Sequence, residues 1–355
     1  MTIKRTPFAS YCLNSINNIA EGCKYCVKGK KLVLFISGFC SRACFYCSLS
    51  SKRKNKDAVW ANERECKNIG DMLEEAKESR AKGAGITGGD PILCLKRTLR
   101  YARALKRTFS KAFHIHIYLP TKLVTGNKLK KLSKYVDEVR FHPLFLTNNI
   151  EDIRKEIKKI KLALEFWPKE NIGIELPLIP DRFVETIRII RATSPFIGFV
   201  NLNEFEISDT NFDYVTKHYK LNPDTYTVKG SKETGLKIMK ELKNSQLKVH
   251  LCTARTKNFY QYRNRLKLHK ILPFGFKTSQ GTVRYFVIYF KDLKGNKKEI
   301  KRFKKFKQIY IDKKNKRVVL SEGIVPKLLK LRYKVARVEE LPTWDSTIIS
   351  LEYLL

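Results

Sequence analysis

From residue 32 to residue 252 the chain alternates short apolar runs with longer amphipathic segments, and few architectures accept that rhythm. The run LVLFIS (32–37) reads as a buried parallel strand. A helix over 71–82 follows, then strand-like AGITGGD and a helix over about 91–109. Strands are predicted at HIHIYLP (114–120), DEVRFHP (137–143), NIGIELPLIP (171–180), FIGFVNLNEFE (196–206) and LKVHLC (247–252), with helical segments between them. Strand–helix repetition of this kind predicts βα units on a parallel sheet. Asp90, His142, Glu175, Asn201 and Asn203 fall at strand ends. In a (β/α) barrel those ends form the active face, so these side chains would line one mouth.

After about residue 272 the rhythm changes. TVRYFVIYFKDLKGNKKEI predicts strand, Gly295–Asn296 turn, strand, and KQIYIDKKNKRVVLSE repeats the hairpin logic. Charge enters the argument here. The whole chain carries 72 Lys and Arg against 34 Asp and Glu, a net +38, and residues 277–337 hold 20 against 4. Phe286, Tyr289, Phe290, Phe303, Phe306 and Tyr310 are interleaved with these cations. Such a field attracts polyanions, and aromatic faces can stack on unpaired bases, so a nucleic acid partner is expected, RNA above all. The first residues lack an apolar secretion core and no apolar run reaches membrane-spanning length, so a cytoplasmic protein without membrane contact is expected. The expected division is an extension over 1–30, an α/β body over 31–271 and a basic, β-rich domain over 272–355.

CSRACFYC (40–47) places Cys40, Cys44 and Cys47 in one short loop directly after the first strand, at the predicted active face. In a reducing compartment clustered thiols point to metal or catalysis rather than disulfides. Three thiolates could hold a [4Fe–4S] cube with one iron open, or contribute to zinc, whose structural sites take four ligands.

This loop resembles the Cys-x3-Cys-x-aromatic-Cys signature of the radical S-adenosylmethionine (SAM) enzymes, with Tyr46 in the aromatic slot. TGGDP (87–91) is similar to that superfamily's Gly-Gly-Glu-Pro segment, with Asp90 in place of the glutamate. More narrowly, GCKYCVKGKKLVLFISGFCSRACFYC, ITGGDP, FVNLNEFEIS and VHLCTARTKNFYQYRNRL resemble an archaeal-type group related to pyruvate formate-lyase activating enzyme. The resemblance covers about residues 30–252. It implies a partial (β/α)6-type barrel, with a [4Fe–4S] cluster on Cys40, Cys44 and Cys47. It also implies SAM chelated at the open iron and cleaved by one electron to methionine and a 5′-deoxyadenosyl radical that abstracts hydrogen. A reductant protein such as ferredoxin or flavodoxin is then expected as a partner. Gly88, Gly89 and Asp90 would touch the methionine end of SAM. Glu175, Asn201 and Asn203, ending the fifth and sixth strands, would meet its ribose or carboxylate.

Cys23 and Cys26 form a Cys-x2-Cys knuckle with Cys12 upstream, a candidate second site for zinc or an auxiliary cluster. Cys26 should lie at the barrel bottom and Cys252 at its top, unless the N-terminal segment folds over the mouth. Cys252 is a candidate catalytic thiol, and the basic stretch from Arg255 to Lys267 beside it is a candidate for positioning phosphate. Three functions follow. The first is radical SAM modification of RNA, most plausibly tRNA. The second is radical SAM action on a protein, as in a glycyl-radical activase. The third is a nucleic acid-binding iron–sulfur protein without catalysis.

Overall fold

The computed structural model describes residues 15–291, 297–306 and 308–354. The described residues divide into two compact units, one ending at Tyr262 and one running from Arg263 with the short segment Glu78–Arg80. The division thus falls upstream of the 271/272 boundary expected from composition.

The first unit is built on one sheet. Seven strands run parallel and in sequence order: β1 (Lys31–Phe35), β2 (Gly83–Thr87), β3 (His114–Pro120), β4 (Glu138–His142), β5 (Ile172–Leu178), β6 (Phe199–Glu204) and β7 (Lys248–Cys252). Each lies beside its predecessor, the order of a barrel wall rather than of a doubly wound sheet. The wall is open, because Ser15–Ile16 pairs antiparallel with β7 at one edge and the hairpin Val59–Ala61/Arg64–Cys66 covers β1 at the other. The partial (β/α)6-type barrel is therefore present, extended by a seventh parallel strand.

Side-chain alternation explains why these segments are strands. In β3, Ile115, Ile117 and Leu119 are fully buried in the layer between sheet and helices. His114, His116 and Tyr118 occupy the alternate positions and face inward. Helix Leu95–Phe109 buries Thr98, Tyr101, Ala102 and Leu105, the stripe that a 3.6-residue period produces. The same logic gives the strands Glu138–His142, Phe199–Glu204 and Lys248–Cys252 an apolar outer face and a polar inner one. Inside the barrel sits α1 (Glu21–Val27), against which His116, Glu138 and Arg140 pack so closely that a Cβ on Gly22 would lie 2.4–2.9 Å from them. Helix α1 is the reason the expected opposition of Cys26 and Cys252 does not arise: the helix enters the lumen, and both thiols reach one cavity.

The second unit is an antiparallel sheet centred on Val283–Tyr289, which pairs with Arg317–Leu320 and Ala336–Glu340. Ile309–Asp312 and Arg317–Leu320 form the second predicted hairpin. The first does not form as expected. Its turn, Gly295–Asn296, lies outside the described residues, and Lys297–Lys304 is a helix rather than a strand. Ile300 and Phe303, three residues apart, suit a helical face better than strand alternation. Phe303 is fully buried, and Phe286, Phe290 and Phe306 pack into the same core. These aromatics are core, so of the interleaved set only Tyr310 stands exposed. Arg317, one of the counted cations, is buried between Asp312 and Glu340 at 2.5–2.8 Å.

Candidate active site

A cavity of about 530 Å³ opens at the carboxyl ends of the parallel strands and descends into the lumen. That volume lies within the usual range for a small-molecule or cofactor site. Cys40, Cys44 and Cys47 line it, Cys40 exposed and the other two half-buried. The loop that carries them is tied down at several points. Gly38 N–H donates to Lys56 C=O (2.8 Å) and Asn55 N–H returns to Gly38 C=O (3.1 Å). Arg42 reaches across the mouth to Thr121 Oγ1 (2.6 Å), His142 C=O (3.3 Å) and the buried Glu156 (3.0 Å). The amide of Arg42 also donates to Cys40 Sγ (3.4 Å). Among the described residues the three sulfurs do not all stand within 4.8 Å of one another. A single zinc ion, at Zn–S distances of about 2.3 Å, gathers its ligands more closely than that.

Tyr46 is fixed by the strand-end histidine. His142 Nδ1 donates to Glu175 C=O (2.9 Å), so its Nε2 accepts from the Tyr46 hydroxyl (2.9 Å). Burial lowers the pKa of His142, consistent with this neutral tautomer.

Gly88 and Gly89 line the cavity, and both are required by close backbone approach. Gly88 has φ +151, and a Cβ there would meet Ser37 O at 2.6 Å; at Gly89 it would meet Phe39 O at 2.1 Å. Gly89 N–H donates to Ser37 C=O (2.8 Å), so the turn and the cysteine loop are joined backbone to backbone. Asp90 is placed otherwise than the resemblance implied. It is fully buried, it does not line the cavity, and its carboxylate accepts from Ser41 Oγ (2.6 Å) and Ile92 N–H (3.0 Å). Its job in this geometry is to fasten the cysteine loop to the Gly-Gly turn.

Glu175, Asn201 and Asn203 do come together. Both amides donate to the carboxylate, at 3.2 and 2.8 Å, and Arg140 adds a contact at 3.3 Å. Burial raises the pKa of Glu175, but Arg140 and the two amides outweigh it and leave it below the usual range. Deeper in the lumen, Arg140 pairs with Glu138 at 2.5 Å and donates to Cys23 Sγ at 3.4 Å. Cys23, Cys26 and Cys252 all line the cavity. Cys12 lies outside the described residues. Lys257 faces the cavity and pairs with Glu206 (2.9 Å), while Arg265 is buried, so neither is available to a phosphate on the surface.

The sequence reading missed Lys31, Tyr118, Glu138, Arg140, His250 and Gln261. Tyr118, Arg140 and His250 lie inside strands, Lys31 and Glu138 open theirs, and Gln261 lies on a helical turn. The signal was the polar residue at every second position of HIHIY, EVRFH and KVHLC, which puts one polar face on each strand.

Parallel wall, three-thiol loop after the first strand and side-chain-free turn after the second define an enzyme that works through a bound cofactor. The radical SAM superfamily profile matches residues 34–192. A protein of Methanocaldococcus jannaschii named as a glycyl-radical enzyme activating enzyme is 39% identical over 262 residues, covering 72% of this chain and 69% of that one. Among solved structures, coproporphyrinogen III oxidase of Escherichia coli aligns with a TM-score of 0.38 and 13% identity, over 65% of this chain and 57% of that one. A radical SAM methyltransferase of Kitasatospora setae aligns at 0.35 and 9%, over 52% of this chain and 39% of that one. The chain thus spans less than two thirds of either solved structure. The chain belongs to the radical SAM superfamily, in the branch related to pyruvate formate-lyase activating enzyme.

The residues present fit the cofactors that family implies. Cys40, Cys44 and Cys47 would hold the [4Fe–4S] cluster. Gly88 and Gly89 offer backbone edges to the methionine end of SAM, and the Glu175–Asn201–Asn203 group offers hydrogen bonds to its polar atoms.

Proposed function

We propose that this chain activates a glycyl-radical enzyme, the role that the name of its Methanocaldococcus jannaschii relative gives that protein, by taking a hydrogen atom from a glycine Cα of the partner. The observation that carries the reading is the 39% identity to that relative across 72% of the chain, joined to a cavity lined by Cys40, Cys44, Cys47, Gly88 and Gly89. When bound, the cluster and SAM supply a radical able to attack an unactivated C–H. The protein's own residues supply position. Arg42 and Asp90 hold the cysteine loop, the Gly-Gly turn lets backbone approach the ligand, and the polar wall orients it away from bulk water. The test is anaerobic incubation of reduced, cluster-loaded enzyme with SAM and candidate glycyl-radical proteins. A glycyl radical detected by electron paramagnetic resonance, with 5′-deoxyadenosine formed in step, is the expected result. Unchanged spectra for every candidate, together with an altered nucleoside in RNA incubated the same way, would reverse the assignment.

RNA modification stands as the second reading, supported by the net charge of +38. The interleaved aromatics no longer support it, since most are core.

A further inference from the structure

The cluster loop and the Gly-Gly turn leave the floor of the cavity unexplained. Cys23, Cys26, His250 and Cys252 line that floor, and none belongs to the loop. Cys23 and Cys26 stand three residues apart on α1, so their thiols share one helix face. Both are buried, as is Cys252. Strand pairing places His250 beside Asn201 and Cys252 beside Asn203, on the inner face of the wall. His250 is 3% exposed, and neither of its ring nitrogens has a hydrogen-bond partner. A buried imidazole with both nitrogens orphaned is costly unless something completes it. An imidazole nitrogen without a partner has a lone pair to offer a metal.

Two of the sulfurs also have a nitrogen donor at hand: Arg140 donates to Cys23 (3.4 Å) and Gln261 to Cys252 (3.3 Å). Thiolates bound to a metal would carry negative charge, and Arg140, Lys31 and Lys257 line the same cavity to meet it.

We propose that Cys23, Cys26, Cys252 and His250 ligate a second iron–sulfur cluster at the floor of the lumen. Three thiolates and one neutral imidazole suit zinc and iron–sulfur alike. Among the described residues no three of these four ligand atoms lie within 4.8 Å of one another, as is also true of the loop triad, so a single ion does not find its ligands gathered here. A cluster spreads its ligands over several irons, whereas a single tetrahedral ion draws them together. The set is complete without Cys12, the third thiol of the sequence-level grouping.

The test is the full chain carrying Cys40→Ala, Cys44→Ala and Cys47→Ala, reconstituted anaerobically with iron and sulfide. About four irons and a broad absorption near roughly 400 nm should remain. Adding Cys23→Ser or Cys252→Ser should remove both. A folded triple variant (native circular dichroism) that holds no iron, or holds zinc instead, overturns the proposal. Should the triple variant fail to fold, the intact chain decides. About eight irons per chain support two clusters, and about four overturn the second.

Discussion

At the residue scale, Asp90 shows why position has to be read with contacts. Its carboxylate bonds Ser41, in the cysteine loop, and the amide of Ile92. Asp90→Ala should therefore act first on the loop and lower cluster occupancy, with SAM affinity falling as a consequence. Ser41→Ala should reproduce a milder version, because one hydrogen bond of about 1 kcal/mol is lost. Iron content and SAM calorimetry on both variants check this; a Ser41→Ala protein with full iron but a direct SAM defect for Asp90→Ala alone would contradict it. Glu175 makes a pH prediction. Its folded pKa is depressed, so its contribution is present above the ordinary glutamate pKa of about 4.3 and is lost as pH falls through the lower folded value. Glu175→Gln should be less stable than the parent near neutral pH, and the gap should close below about pH 4 in denaturant titrations. The resemblance pointed at Glu175, Asn201 and Asn203 through their strand ends. Arg140 and His250 were in plain view in the sequence, but nothing local tells an inward-facing strand residue from a solvent-facing one. Only the closure of the wall around α1 makes that distinction.

At the element scale, the cysteine loop and its anchors behave as one device. Loop geometry is not legible from thiol spacing, because the anchors come from distant chain: Arg42 meets Glu156 more than a hundred residues on, and Ser51 meets Asp209. Arg42→Ala strands Glu156 with Thr121 as its remaining side-chain partner, and should cost about 3–5 kcal/mol with partial loss of iron. The parallel strands were legible, since each is a short apolar run with period-two polarity. The helix Lys297–Lys304 was not, because a Gly-Asn pair upstream read as a hairpin turn and outweighed the spacing of Ile300 and Phe303. Gly88→Ala tests the second anchor. At φ +151 a side chain is strained by about 1–3 kcal/mol, and its Cβ would also strike Ser37 O, so the Gly-Gly turn should pull away from the loop. Loss of both cluster and SAM binding with a modest drop in thermal midpoint is the expected outcome, read by absorbance and calorimetry. Retention of full SAM affinity would mean that the turn does not shape the site.

At the scale of the whole molecule, charge and chemistry give different instructions. The relative's name favours the proposed protein substrate, while a net charge of +38 guarantees a field that polyanions feel. The two are compatible if the field is unspecific. Binding to tRNA should then be measurable at low salt and fall steeply as salt rises, because each neutralised phosphate releases counterions with a slope of about −0.7 per contact on single-stranded segments. Specific recognition needs more than this. It needs base contacts or stacking surfaces, and most of the aromatics interleaved with the basic residues are packed around Phe303 in the core of the second unit, with Tyr310 left exposed. Heparin should therefore compete with tRNA about as well as unlabelled tRNA does, and charge reversal at exposed Lys301 and Arg302 should weaken both ligands together. Filter binding across a salt series, with heparin and tRNA as competitors, reads the result. Tight tRNA binding that survives excess heparin, or a charge reversal that weakens tRNA alone, would show a built RNA site and return the second reading to first place. A steep slope without preference leaves the basic surface as an electrostatic background to chemistry carried out on a protein.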